Sequence, residues 1–184
     1  MPRASTQPES LGEPCDIAGL WDALEANTDL FGPHHARTLA VAHDLAIALW
    51  HSNDFQGAVS LLNQALDSLT LNFGKNHPAT LAAKGDLAAV LFELGQEDEA
   101  GSLELEALES ARNHLGKTHS VTCVLAWNRA INCERCGDVA AARELISNEL
   151  TWLLTEESSQ LEEDQTIIRS MLAKRLNWEH ATTC

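Results

Sequence analysis

Two short motifs in the sequence have the residue types and spacing of chemical sites. Residues 111–118, Ala-Arg-Asn-His-Leu-Gly-Lys-Thr, match a loose phosphate-binding loop in which Ala replaces the first Gly. A phosphate-binding loop follows a strand and opens a helix, whereas this segment continues a helical pattern into a turn. Cys133 and Cys136 have half the spacing of a zinc site, or of a redox motif, and no second pair accompanies them. We therefore expect neither nucleotide nor zinc at these motifs.

Three histidines, His35, His77 and His119, recur at a fixed spacing and could be taken for metal ligands. The three histidines occupy equivalent positions of a repeat in the sequence. Such positions in successive repeats are separated by at least a helix-packing distance, roughly 8–10 Å. Ligands of one zinc ion, each bound at about 2 Å, must lie much closer together. The histidines are therefore expected at turns and helix starts, with local hydrogen bonds. No arrangement typical of hydrolases, zinc proteases or dinucleotide enzymes is present, so we expect no catalytic activity and no cofactor.

The spacing of the histidines reveals an internal repeat of 42 residues. Residues 31–38, 73–80 and 115–122 are three copies of one segment. Each copy is accompanied by two stretches with apolar residues three and four apart, which indicates two amphipathic helices per repeat. Small residues recur where paired helices must approach closely; they are Ala46, Ala88 and Ala130, and Ala58, Ala100 and Ala142. Cys123 and Cys133 align with leucines of the other copies, which favours thiols packed as small apolar groups.

The repeat predicts an all-α domain of about eight helices over residues 15–178. We place the repeats at residues 36–72, 78–114 and 120–154, with partial capping helices at 16–29 and 162–178. Capping elements hide the apolar faces at the two ends of a repeat array. Residues 1–14, rich in Pro, Ser and Glu, are predicted to form a disordered leader, and residues 179–184 a tail.

The repeated segment resembles the tetratricopeptide repeat of the kinesin-light-chain type. The resemblance rests on Leu-Gly or Phe-Gly, His-Pro-x-Thr-Leu, Asn/Asp-Leu-Ala, Gly and Ala-x-x-Leu, best seen in residues 73–95. It implies a right-handed superhelical solenoid of antiparallel helix pairs. It also implies that the protein binds peptides or proteins on the concave surface lined by the first helix of each repeat.

The resemblance places the groove-facing Asn of the family's Asn-Leu-Ala motif at Asp44, Asp86 and Asn128. A carboxylate only accepts hydrogen bonds, so this groove should prefer N–H donors, Lys or Arg. Trp50, Phe92 and Trp127 are candidate anchors for apolar side chains of a ligand. The remaining candidate groove residues are His43, Ile47, His51, Glu93, Ile131 and Arg135. The lysines with which related repeats bind an acidic C-terminal tail are missing, which argues against such a ligand.

The charge balance points to the same class of partner. The 12 basic and 27 acidic residues give a net charge of −15, which disfavours nucleic acids and anionic membrane surfaces. No stretch approaches the length of a transmembrane helix. Five cysteines cannot all pair internally, and we expect a cytoplasmic protein.

The sequence is also compatible with two other functions. One is self-assembly as a structural protein, in which the last helix pairs with a second copy to form a homodimer. Its apolar stripe consists of Ile167, Ile168, Met171, Leu172, Leu176 and Trp178. The other is recognition of a small ligand or signal peptide in the same groove. Protonation of His43 and His51 could make binding there depend on pH.

Overall fold

The computed structural model describes residues 16–182, with side chains described as far as Arg175, and this part of the chain is an all-α solenoid of helix pairs. The predicted leader, residues 1–14, lies outside the described residues. The helices are α1 (Ile17–Phe31), α2 (Ala36–His51), α3 (Phe55–Phe73), α4 (Pro78–Glu93), α5 (Glu97–His114), α6 (Ser120–Arg135), α7 (Val139–Leu145) and α8 (Glu163–Thr182). The predicted fold class and helix number are confirmed for the described residues, and α8 continues beyond its predicted end at residue 178.

The start of each first helix explains why Gly, His and Thr recur at fixed spacing. In the second copy Gly74 has a φ of 88° and a ψ of 163°, a conformation essentially restricted to glycine. Its carbonyl oxygen accepts a hydrogen bond from the Thr80 hydroxyl at 2.9 Å, and Nδ1 of His77 accepts one from the Ala79 N–H at 3.3 Å. The same bonds recur at Gly32, His35 and Thr38 and at Gly116, His119 and Thr122. The three histidines therefore cap helices, as predicted.

The turns inside the three repeats share a residue of positive φ, and two of them also share an Asp that caps the second helix. Asn53, Gly95 and Gly137 adopt positive φ and end the first helix. Asp54 then caps α3 by accepting a hydrogen bond from the Gly57 N–H at 2.9 Å, and Asp138 caps α7 in the same way. The two helices of a repeat thus turn back on each other through a few residues.

The six recurring alanines are fully buried, with none of their surface exposed to solvent. Around them the buried side chains form two clusters, one centred on α2, α3 and α4 and the other on α5, α6, α7 and α8. A larger side chain at these positions would separate the helices. The alanines are therefore packing positions, as the sequence predicted.

The second helix of the third repeat differs from the continuous helix that the repeat pattern predicts. α7 ends at Leu145, and a π-helical turn (Ile146–Leu150) and a 3-10 turn (Thr151–Leu154) take its place. Leu150 and Leu153 are both fully buried in the core of the third repeat. α8 covers this end of the array by packing against α6, much as α6 packs against α4.

Candidate binding surface

The first helices α2, α4 and α6 carry all the predicted groove residues, and two of these residues meet across the first and second repeats. Nε2 of His43 on α2 lies 3.0 Å from Oδ2 of Asp86 on α4. Asp44 lies 3.8 Å from the other ring nitrogen of His43, and its side chain is 68% exposed. The hydrogen bond to Asp86 raises the pKa of His43 despite the opposing effect of burial, and Asp44 adds to the shift. The surface here is therefore acidic and includes a titratable imidazole.

A second contact joins α4 to α6 near their C-terminal ends. Arg135 donates two hydrogen bonds to the Glu93 carboxylate, at 2.7 and 3.1 Å. The guanidinium carbon also lies 4.3 Å from the centre of the Phe92 ring. Phe92 is only 9% exposed and belongs to the core of the first two repeats. As a ligand anchor Phe92 is therefore disfavoured, because its ring is already packed inside and covered by Arg135.

The two tryptophans predicted to be ligand anchors, Trp50 and Trp127, are half-buried. Trp50 packs against the core of the first two repeats and stacks on His51, with 5.8 Å between the ring centres. Trp127 packs against the core of the third repeat. Each residue has a structural role and is still partly accessible at the surface. Ile47, Asn128 and Ile131 are likewise half-buried on the first helices.

A cavity of about 380 Å³ lies between α2 and α4, above α3. Most of its wall is apolar and comes from alanines on α2 and α4 and from larger side chains of α3, among them Leu69 and Phe73. His43 and Asp86 also line it, together with His77. The sequence assigns His43 and Asp86 to the groove, but it gives no signal for a cavity, because the depth depends on how far α3 lies beneath them.

A buried polar cluster that the repeat pattern does not predict lies between α5 and α6. Oε1 of Glu104 accepts a hydrogen bond from Asn132 at 2.5 Å, and Oε2 lies 3.7 Å from a guanidinium nitrogen of Arg129. Arg129 also donates to the Gly101 carbonyl oxygen at 2.9 Å. Burial raises the pKa of Glu104. The alignment of Arg129 with leucines of the other copies was the available signal, since a charge at a core position requires a partner.

The short chemical motifs are accounted for by the helices. Residues 111–118 form the end of α5 and the turn before α6, and the segment before them is helical rather than a strand. Cys123 is buried, which raises its pKa to about 11 and makes its thiol a poor nucleophile. The pKa values of Cys133 and Cys136 are also raised, by desolvation and by nearby carboxylates. All three are free thiols.

The described residues offer neither a membrane-spanning helix nor a metal-binding cluster. No helix between residues 16 and 182 is long and apolar enough to cross a membrane. Within the same part of the chain, no group of three or more His, Cys, Asp or Glu side chains is arranged to hold a metal ion.

Comparison with known proteins agrees with this architecture. Two sequence families, both described as tetratricopeptide repeat, match residues 22–70 and residues 80–120. No curated protein matches the sequence significantly.

Among solved structures, the chain is similar to a candidate kinesin light chain from Podosopora anserina with nearly identical TPR-like repeats. The two share 23% sequence identity and a TM-score of 0.64, over 81% of this chain and 70% of the other. A variant of that protein gives the same identity and coverage with a TM-score of 0.65. These similarities concern the fold.

Proposed function

We propose that this chain, which carries tetratricopeptide repeats over residues 22–70 and 80–120, is a non-catalytic adaptor that binds a protein or peptide on the inner surface formed by α2, α4 and α6. Repeats of this kind generally serve as scaffolds for protein interactions. The proposed partner has basic or hydrogen-bond-donating groups and apolar side chains. The observation that carries the proposal is the pair of carboxylates, Asp44 and Asp86, at the centre of a surface that also has half-buried apolar side chains.

The electrostatics of the inner surface support a basic partner. Two cationic groups of the first helices α4 and α6 are already engaged: Arg135 is paired with Glu93, and Lys84 is paired with Glu106 of α5 at 2.6 Å. The whole chain carries a net charge of −15. Such a field speeds association with positively charged partners and disfavours acidic ones.

Capture of partners from a native extract tests the proposal, with bound proteins identified by mass spectrometry. Asp44→Lys reverses a charge on the inner surface without touching the core, because Asp44 is exposed. We expect this variant to lose the partner that the intact protein captures. The matched control is Glu109→Lys, the same reversal at an exposed position of the second helix α5.

The result separates the surfaces of the molecule. A partner lost with Asp44→Lys and kept with Glu109→Lys supports the inner surface. A partner lost only with Glu109→Lys would move the binding site to the exposed side of α5 that carries Glu109 and contradict the proposal. A Trp50/Asp86/Trp127 triple-alanine variant adds the apolar contacts to the test, provided that circular dichroism shows it to be folded, since both tryptophans also pack against the core.

Self-association through α8 is a second candidate. Ile168 and Leu172 pack into the core, but Ile167 and Met171 are 47% and 44% exposed on the same helix. The side chains of Leu176 and Trp178 lie outside the described residues. Sedimentation at high concentration would reveal a dimer, and replacement of Ile167 and Met171 by Glu should abolish it. A strictly monomeric profile contradicts this candidate.

A cytoplasmic location is part of the proposal. Cys123, Cys133 and Cys136 are free thiols, as expected of a protein in a reducing compartment.

A further inference from the structure

The cavity between α2 and α4 exists because both helices bring small side chains to the place where they face each other. Ala40 of α2 and Ala79 and Ala82 of α4 line it, and α3 supplies the apolar floor. One repeat later, α6 brings larger residues to the equivalent positions, Val121 and Val124. The cavity is therefore a feature of the first pair of repeats and not a general result of stacking them.

The equivalent space between α4 and α6 is filled by a specific contact. Leu125 of α6, which takes the position of Ala83, extends to Gly85 of α4 so closely that a Cβ atom at Gly85 would lie 2.5 Å from Leu125 Cδ2. Trp127, at the position of His43 and Gly85, also packs into the core there. The third repeat thus uses large side chains where the first two leave space.

The chemistry of the cavity defines what it can hold. Its volume of about 380 Å³ is near the lower end of the range of small-molecule and side-chain pockets, roughly 300–1,000 Å³. The wall is apolar except at His43, Asp86 and His77, and no Lys or Arg is among the described residues that line it. The Asp86 carboxylate accepts one hydrogen bond from His43 through Oδ2 and has further acceptor capacity.

We infer that this cavity receives a large apolar side chain of a peptide partner, and that Asp86 accepts a hydrogen bond from a Lys or Arg side chain next to it in the peptide. The inference rests on the proposed function and adds the sequence class of the partner. The apolar side chain is desolvated in the cavity, while the basic side chain remains at the acidic surface formed by Asp86 and Asp44. A partner with an acidic residue at that position would be repelled.

His43 gives this site a pH dependence of defined sign. The charged groups that act on it are Asp44 on its own helix and Asp86 on α4; α3 contributes apolar side chains to the cavity, and His77 is the remaining titratable group in its described wall. A basic side chain at Asp86 is repelled by a protonated His43 but not by a neutral one. Binding of a basic peptide should therefore be tighter at about pH 8 than at about pH 6.

A random peptide display library, selected against the full-length protein, tests the inference. We expect enriched peptides to share a large apolar residue beside Lys or Arg. The affinities of the enriched peptides are then measured against variants. Ala79→Val/Ala82→Val fills the cavity with the residues that the third repeat carries, and Asp86→Asn introduces the residue found at Asn128. Each variant should weaken binding about tenfold, whereas Ala140→Val, the same change at an exposed position of α7, should have no effect.

Several outcomes would overturn the inference. They are enrichment of acidic peptides, equal binding to the intact and the cavity-filled protein, or no enrichment above an unrelated control. Circular dichroism must show that each variant retains its helix content, and the conservative Asp86→Glu variant provides a second test because it keeps the charge. If Asp44→Lys abolishes capture of the native partner but Ala79→Val/Ala82→Val does not, the proposed function stands and the cavity is not part of it.

Discussion

At the scale of single residues, the contact between His43 and Asp86 links a side chain of the first repeat to one of the second. Because folded His43 holds its proton more tightly than in the unfolded chain, the contact stabilises the fold below the unfolded pKa of 6.5. This contribution is lost as the pH rises through the raised pKa of the folded state. Both side chains are partly exposed, so it should not exceed about 1 kcal/mol.

We predict that Asp86→Asn lowers the pKa of His43 towards its ordinary value, because the variant removes the strongest cause of the shift. Titration of the His43 ring signals by NMR measures the effect. Asp44→Asn is the control and should give a smaller decrease. An unchanged pKa in Asp86→Asn would mean that the two side chains are not in contact in solution.

The cluster of Glu104, Arg129 and Asn132 leads to a prediction about stability. Arg129→Leu alone should reduce the free energy of unfolding by about 1–3 kcal/mol, because Glu104 is left buried without its cation. The triple variant Glu104→Leu/Arg129→Leu/Asn132→Val replaces each member of the cluster by the residue found at the equivalent position one repeat earlier. These residues are Leu62, Leu87 and Val90, respectively. It should be as stable as the parent or more so, since apolar replacements of buried ion pairs are often neutral or stabilising. Urea denaturation measures both, and a triple variant less stable than the parent contradicts the prediction.

At the scale of the elements, the segment that begins each first helix determines how the repeats are joined. Gly74→Ala should destabilise the protein by roughly 1–3 kcal/mol, because Ala cannot readily adopt the backbone conformation of Gly74. Gly101→Ala is the matched control. Gly101 lies inside α5 with open space around the added methyl group, so this change should stabilise the protein by about 0.5–1 kcal/mol. Thermal unfolding of the two variants gives the comparison, and equal shifts would contradict it.

The elements are predictable from the sequence where one repeat can be compared with another. The aligned alanines, the positive-φ residues Gly95 and Gly137 and the capping histidines each follow from the 42-residue shift. The break after α7 does not, because it has no counterpart in the other copies. Sequence comparison identifies what the repeats share, whereas the π-helical turn occurs in the third copy alone among the described residues.

The candidate site is predictable only in part for a related reason. The sequence identifies Asp86 and His43 as groove residues, but the bond between them depends on the distance between α2 and α4, which the sequence does not specify. The sequence predicts Phe92 to be an exposed ligand anchor because it occupies one of the groove positions of the repeat. Its burial results from packing in the core and from Arg135, which lies one repeat further along the chain.

At the scale of the whole molecule, α8 closes the C-terminal end of the array. Leu172→Ala should reduce the free energy of unfolding by about 2–4 kcal/mol, because Leu172 is 1% exposed in the core. The neighbouring Met171 is exposed, and Met171→Ala should change stability by no more than about 0.5 kcal/mol. Chemical denaturation of the two variants provides the test. Comparable losses would show that α8 is oriented differently in solution.

The N-terminal end of the array is closed much less firmly. None of the described residues of α1 is fully buried, and its apolar side chains Leu20 and Leu24 are only half-buried against the core of the first two repeats. Local opening of α1 therefore exposes little apolar surface and requires little free energy. In hydrogen-exchange measurements, the amides of α1 should therefore exchange rapidly and those of the remaining helices slowly. Such a result would mean that α1 can separate from the array while the rest stays folded.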